Sequence, residues 1–223
     1  MVYNPDFHHR HSIRIKGYDY SSPGFYFITI CSRDRQPLFG EIKNGEMVLS
    51  ELGKIIQKEW FKIIESWSGV ELDYFIIMPN HLHGIIIITN KLERKINVND
   101  EVGATLAVAQ NVAVAQNRAG ATPAKHVFAL GDVVGGFKSI CVNKYLQYIK
   151  NNNLQESCLI WQRNYYDHII RNEKDLYNIQ GYILNNVSKW QYDLENLQLY
   201  KYWSEKTREL EVKRHYDELF MGH

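Results

Sequence analysis

The spacing of hydrophobic side chains changes several times along this chain, and each change predicts an element. Residues 25–31 (FYFITIC) are almost continuously apolar over the length of a strand and read as buried. Lys43-Asn44-Gly45 parts LFGEI from EMVL, and Asn-Gly accepts the positive φ angles of a tight turn, so a hairpin is expected there. Taken together these runs predict a β-meander at the start of the domain. From Ser50 the period lengthens: Leu52, Ile55, Ile56, Trp60, Ile63, Ile64 and Trp67 fall on one helical stripe, and Ser50 is placed to cap its first turn. Two strand-like runs follow, 72–78 and 82–89, parted by Pro79-Asn80. The first has too few polar residues to face water on either side, so both are expected to be central strands.

Residues 90–125 break the pattern. They contain GATLAVAQNVAVAQNRAGATPA, with AVAQN repeated, and few large apolar side chains, so this stretch reads as an insertion outside the core. From His126 a helical stripe resumes with Leu130, Val134, Phe137, Cys141, Tyr145 and Tyr148, and Gly135-Gly136 marks a kink or a helix start. Residues 158–161 and 166–170 read as extended, 173–186 as a helix with Leu176, Ile179 and Ile183 on one face, and 190–218 as charged and helical. The expected class is α+β: a central antiparallel or mixed sheet with covering helices. The division that follows is a domain over 1–198 and a charged helical tail over 199–223. Neither G-x-G-x-x-G nor a P-loop occurs, which argues against a nucleotide cofactor.

Composition narrows the function classes. At 223 residues, 45% hydrophobic and 23% charged, the chain has enough apolar content for one real core. No apolar run approaches the roughly 20 residues of a membrane span, and the N-terminus lacks a signal-peptide core, so a cytoplasmic protein without a membrane partner is expected. Cys31, Cys141 and Cys158 form no C-x-x-C pair and read as ordinary buried thiols. A net charge of +1 gives no global attraction for nucleic acid, so any such site has to be local. Two stretches qualify: His8 to Lys16, with Arg14, and Lys138, Lys144 and Lys150 with Tyr145 and Tyr148 between them.

The strongest local signal is His81-Leu82-His83. In a strand, residues i and i+2 point to one face about 7 Å apart, so both imidazoles can converge on one ion while Leu82 enters the core. The competing reading is a pair of hydrogen-bonded histidines. A metal site needs a further ligand from elsewhere in the fold.

MPNHLHGIIII (78–88) resembles the HUH motif, His-hydrophobic-His, of single-strand DNA transposases. The flanking blocks RHSIRIKGYDYSSPGFYFITICSRDRQPLFGEI and WQRNYYDHIIRNEKDLYNIQGYILNNVSKW are similar to those of REP-associated tyrosine transposases, in the same order. The resemblance implies a ferredoxin-like HUH endonuclease fold and a helical tyrosine nucleophile followed four residues later by an amide metal ligand. Tyr182 and Asn186 have that spacing, with Asn185 as the neighbouring alternative. Independently, i and i+4 share a helix face about 6 Å apart. The implied mechanism uses Mg²⁺ or Mn²⁺ held by His81, His83 and Asn186, attack by Tyr182 on single-stranded or hairpin DNA, a 5′-phosphotyrosine link and a free 3′-hydroxyl. A phenol titrates near about 10, so the nucleophile needs a local positive field or a base. Monomer and dimer both remain open.

Rival readings attach to other residues. Tyr165 and Tyr166, beside Arg163 and His168, are alternative nucleophiles without an amide at i+4, and Arg163 is a candidate DNA contact with Arg14 and Lys138. His168 reads as a core residue or a base, and His8, His9 and His11 as a solvated run. Two other functions stay open: a catalytically silent protein that binds repeat DNA, and an unrelated metal-dependent hydrolase. The hydrolase needs an acidic ligand, for which Asp73 is the nearest candidate.

Overall fold

A computed structural model of the chain describes residues 14–95, 127–193, 195–196, 207, 210–211 and 214. Strand β1 (Gly24–Cys31) is followed by a turn, Arg33–Arg35, and by the hairpin β2 (Gly40–Lys43) and β3 (Glu46–Leu49). Helices α1 (Glu51–Phe61) and α2 (Ile63–Ser66) lead into β4 (Trp67–Ile77) and β5 (His81–Arg94). After the insertion come α3 (Leu130–Asn151), β6 (Tyr166–Ile170) and α4 (Glu173–Asn185). The sheet order is β4-β5-β1-β6, every neighbouring pair antiparallel. With the hairpin set aside, β1-α1-β4-β5-α3-β6 is the ferredoxin-like split β-α-β arrangement. The sheet is therefore wholly antiparallel, the first of the two alternatives left by the sequence.

Strand alternation divides the core between two faces. Tyr26, Ile28 and Ile30 of β1, Leu82, Ile86 and Ile88 of β5 and Ile169 of β6 pack with Leu52, Ile56 and Trp60 of α1 and with Val134, Phe137 and Cys141 of α3. On the other face Phe27, Ile85 and Ile170 meet Ile179 and Ile183 of α4. His81 and His83 have the same parity as Ile85, so they belong to the α4 face.

Several sequence expectations change. The hairpin is a two-stranded sheet of its own and does not continue from β1 as a meander. Asp34 and Arg35, at φ 52° and 51°, turn the chain away from the β1 direction before β2 begins. The turn chemistry itself is as expected, with Asn44 and Gly45 at φ 53° and 79°. The helical stripe is broken at Lys62, the C-cap of α1, and resumes in α2 with Ile63 and Ile64; of the expected positions only Trp67 leaves it, because it opens β4. Ser50 caps α1, accepting a hydrogen bond from the Gly53 amide at 3.0 Å.

Strand β5 is central, but β4 is an edge strand, with register shifts between Ser68 and Val70 and between Leu72 and Phe75. Its apolar content serves its faces: Trp60 stacks on Phe75 at 5.5 Å and Phe61 meets it edge-on at 5.0 Å. Coverage of a face and pairing of an edge are separate properties, and hydrophobic periodicity reports only the first. Strand β5 continues to Arg94, with Leu92 buried, beyond the Asn90 at which the insertion is expected to begin. Helix α3 runs unbroken through Gly135-Gly136. The rest of the insertion and most of the tail lie outside the described residues; Thr207, Leu210, Glu211 and Arg214 are helical.

Candidate active site

Cross-strand pairing sets His83 opposite Thr29 and His81 opposite Cys31. Both imidazoles are fully buried, and their Nε2 atoms face each other at 3.0 Å. The outer nitrogens are anchored: His83 Nδ1 lies 2.8 Å from Thr29 Oγ1, and His81 Nδ1 lies 2.9 Å from Asn80 Oδ1. Phe27 stacks against the His83 ring at 5.3 Å. Burial, reinforced by the Arg35 charge, lowers the His81 pKa to about 3, so His81 is a neutral ring.

Helix α4 supplies the other half. Asn172 caps it, accepting from the Asp175 amide at 2.8 Å, and Ile179 and Ile183 pin it against Phe27, Ile85 and Ile170. Tyr182 then lies with its hydroxyl 3.3 Å from His83 Nε2 and its ring edge-on to Phe27 at 6.2 Å. Of the two neighbouring asparagines, Asn186 is buried. Asn185 is exposed and donates to the Gly181 carbonyl at 2.7 Å. Asn186 hydrogen-bonds Asp193, and its Oδ1 is buried with no hydrogen-bond partner. A buried amide oxygen without a donor is costly, and a cation would satisfy it.

Asp193, which the sequence did not single out, lies in the turn after α4. Its Oδ2 is 3.9 Å from His81 Nε2, and ligand atoms of His81, His83 and Asp193 lie within 4.8 Å of one another. Burial raises its pKa to about 7; the Glu195 charge adds to this, against hydrogen bonds from the Glu195 amide and from Asn186. Two imidazole nitrogens and a carboxylate form a donor set that fits a divalent ion, and the Asn186 amide adjoins it through its hydrogen bond to Asp193. The missed signal was weak: an aspartate within WQYDLEN has no ligand-like spacing to any histidine. The same turn closes the site. The Trp190 ring lies 6.1 Å from the His81 ring, and Glu195 is held by an ion pair with Arg35 and by Asn80 Nδ2, which donates to its carbonyl at 2.7 Å.

The other candidates lie elsewhere. Tyr165 packs against the α1/α3 core and accepts a 2.7 Å hydrogen bond from Arg14, whose guanidinium also lies over the Tyr20 ring. Tyr166 shares the α4 face and pairs with Thr29, which places it two strands from His83. Lys138 donates to the carbonyls of Gln162 and Arg163 at 2.5 and 3.2 Å, and desolvation lowers its pKa to about 8. Arg163 is exposed. Arg14, Lys138 and Arg163 thus border the 162–165 segment and do not touch the histidine pair. His168 pairs with Asp175 at 3.0 Å, and Asp73 accepts from Gln180 at 2.7 Å, so neither joins the pair. His8, His9 and His11 lie outside the described residues. Among the described residues no helix is long and apolar enough to cross a membrane.

Comparison with known proteins adds a relative. The chain is 40% identical over 191 residues to an uncharacterized protein of Haemophilus influenzae Rd, covering 86% of this chain and 95% of that one. The chain belongs to that protein's family. Membership extends over nearly the whole length of both proteins, so the family shares a fold and not a single segment. No family model matches. Among solved structures, the chain is similar to a REP-associated tyrosine transposase bound to a REP hairpin, with TM-score 0.43 and 17% identity over 81% of this chain and 75% of that one. It is also similar to a candidate transposase of Deinococcus radiodurans R1, with TM-score 0.35 and 17% identity over 77% of this chain and 97% of that one.

Proposed function

We propose that this chain is a cytoplasmic, metal-dependent strand transferase that cuts and rejoins single-stranded DNA, with Tyr182 as nucleophile. The observation that carries the reading is the Tyr182 hydroxyl, 3.3 Å from one of two facing imidazole nitrogens and on the same helix face as Asn186, whose Oδ1 is buried and unsatisfied. A structural tyrosine over a structural histidine pair accounts for the first contact and leaves the amide oxygen unexplained. Support also comes from the resemblance of the HLH motif and its flanking blocks to REP-associated tyrosine transposases.

His81, His83, Asn186 and Asp193 would hold the ion. Bound there, it would neutralise charge on the scissile phosphate and polarise phosphorus toward attack. Two imidazoles suit Mn²⁺ better than Mg²⁺, which prefers oxygen ligands alone. Tyr182 Oη forms a bond to phosphorus as the bond from phosphorus to the 3′-oxygen breaks. The phenol gives up one proton and the departing 3′-oxygen takes one up, so no oxidant or nucleotide is consumed. Reversal by a new 3′-hydroxyl rejoins the strand. Thr29 and Asn80 hold the two rings in orientation, and Phe27 supports both His83 and Tyr182 from below. The substrate class favoured by the resemblance is a palindromic-repeat hairpin, whose unpaired bases can stack on aromatic rings.

The direct test is a denaturing gel of the protein incubated with Mn²⁺ and a hairpin oligonucleotide from the flanks of its own gene. A covalent protein–DNA adduct is expected. Its absence with every flanking hairpin, in Mn²⁺ and Mg²⁺ alike, would sink the proposal. His81→Ala combined with His83→Ala should abolish cleavage and leave hairpin affinity within about tenfold, because phosphate contacts and stacking set affinity. Normal cutting by that double variant would place the site elsewhere.

Asp193 favours a second reading. It supplies the acidic ligand that a metal-dependent hydrolase needs and that Asp73 does not provide. A hydrolase would release 5′-phosphate ends and trap no protein on DNA, so the same gel separates the two.

A further inference from the structure

We infer that Asn80 is a positioning residue that fixes which nitrogen of His81 carries the proton and so presents a bare Nε2 to the centre of the site. The inference rests on the metal-binding reading above. Asn80 is 3% exposed, and every polar atom of its side chain is engaged. Its Nδ2 donates to the carbonyls of Arg35 at 3.0 Å and Glu195 at 2.7 Å. Both acceptors are carbonyl oxygens, which cannot donate, so a flipped amide would set oxygen against oxygen twice. The side-chain orientation is therefore determined by the network, and Oδ1 faces His81 Nδ1 at 2.9 Å.

Oδ1 can only accept, so His81 Nδ1 must carry the hydrogen. A neutral imidazole has one N–H and one lone pair, and the lone pair falls on Nε2. That nitrogen points at His83 Nε2, 3.0 Å away, with the Asp193 carboxylate at 3.9 Å. Left to itself the carboxylate would favour the opposite tautomer, with an Nε2–H directed at it. Asn80 works against that preference and keeps two electron-rich atoms turned toward one space, as a cation requires. His83 is not fixed in this way, because the hydroxyls of Thr29 and Tyr182 can each donate or accept. The backbone carbonyl of Asn80 also accepts from the Ser32 amide at 2.8 Å, tying the residue to the end of β1. One side chain thus registers three segments against each other: the Arg33–Arg35 turn, the start of β5 and the turn that carries Asp193.

The test uses the full chain with ¹⁵N-labelled histidine and no metal. Long-range ¹H–¹⁵N spectra read the tautomer, and the His81 signals are assigned by their loss in His81→Gln. Wild type should show His81 protonated at Nδ1. In Asn80→Ala the proton should move largely to Nε2, and Mn²⁺ affinity, followed by the electron paramagnetic resonance of free Mn²⁺, should fall about 10- to 100-fold. Asn80→Asp keeps the acceptor and should keep the Nδ1–H tautomer, although it loses both donors. A wild-type His81 protonated at Nε2 would overturn the inference whether or not the alanine variant folds. So would loss of the Nδ1–H tautomer in Asn80→Asp, or an alanine variant that keeps both tautomer and Mn²⁺ affinity within about twofold. Wild type that holds Nδ1–H but binds no Mn²⁺ would sink the metal reading and leave the control of the tautomer by Asn80 standing.

Discussion

Tyr182→Phe should abolish both strand cleavage and the covalent adduct, a loss on the order of 10³-fold or more, while leaving the protein folded. The substitution keeps the ring that sits edge-on to Phe27 and to His83, and removes only the hydroxyl 3.3 Å from His83 Nε2. One partly buried hydrogen bond contributes about 0.5–1.5 kcal/mol, so the melting temperature should stay within about 5 °C of wild type. Metal affinity should hold, since the phenol is not one of the proposed ligands. Tyr165→Phe loses a hydrogen bond to Arg14 on the far side of the sheet and should keep the adduct. Tyr166→Phe, on the same face but two strands away, should keep it too. Peptide mapping of the trapped adduct decides among the three. Oligonucleotide on Tyr165 or Tyr166, or full activity in Tyr182→Phe, would overturn the assignment.

A large loss of stability is expected from the smallest change in the chain, one methyl group at Gly84. A Cβ built there would lie 2.4 and 2.5 Å from Cζ2 and Cη2 of Trp60. The ring cannot retreat: Trp60 is 1% exposed, stacked on Phe75 and edge-on to Phe137, each at 5.5 Å. Overpacking of this kind costs about 1–3 kcal/mol, so thermal melts followed by circular dichroism should show Gly84→Ala about 2–12 °C below wild type. The same substitution at Gly181, in the interior of α4, meets nothing within 4 Å and should stabilise by up to about 1 kcal/mol. Opposite signs for one chemical change test the packing directly. A Gly84→Ala variant that melts at or above wild type would show that the sheet and α1 are not in this contact. Because Gly84 follows His83 and turns its missing side chain to the opposite face, the cost should appear in stability and leave the histidine pair in place.

Local regularities in the sequence determined a good deal of this. A two-residue period puts His81 and His83 on one face whatever strand lies beside them, and a 3.6-residue period does the same for Tyr182 and Asn186. Asn44-Gly45 specified its turn and Ser50 its cap because the interactions involved span four residues or fewer. Each of these relations survives without knowledge of the rest of the chain.

What the tertiary structure decided are the relations between segments distant in sequence. That α4 lies over the histidines follows from Ile179 and Ile183 packing on Phe27, Ile85 and Ile170, residues drawn from three strands. Nothing in the period of α4 names that partner. The edge position of β4 depends on which strands pair, and hydrophobic alternation is blind to pairing. Asp193 reaches His81 only because the turn after α4 is held by Arg35 and Asn80 through Glu195, a contact between groups with no common motif. The tautomer of His81 is more remote still: it depends on two backbone carbonyls that saturate the Asn80 amide, and backbone carbonyls are the same in every sequence. Periodicity fixes the face each element shows, whereas the partner that face meets is set by long-range packing.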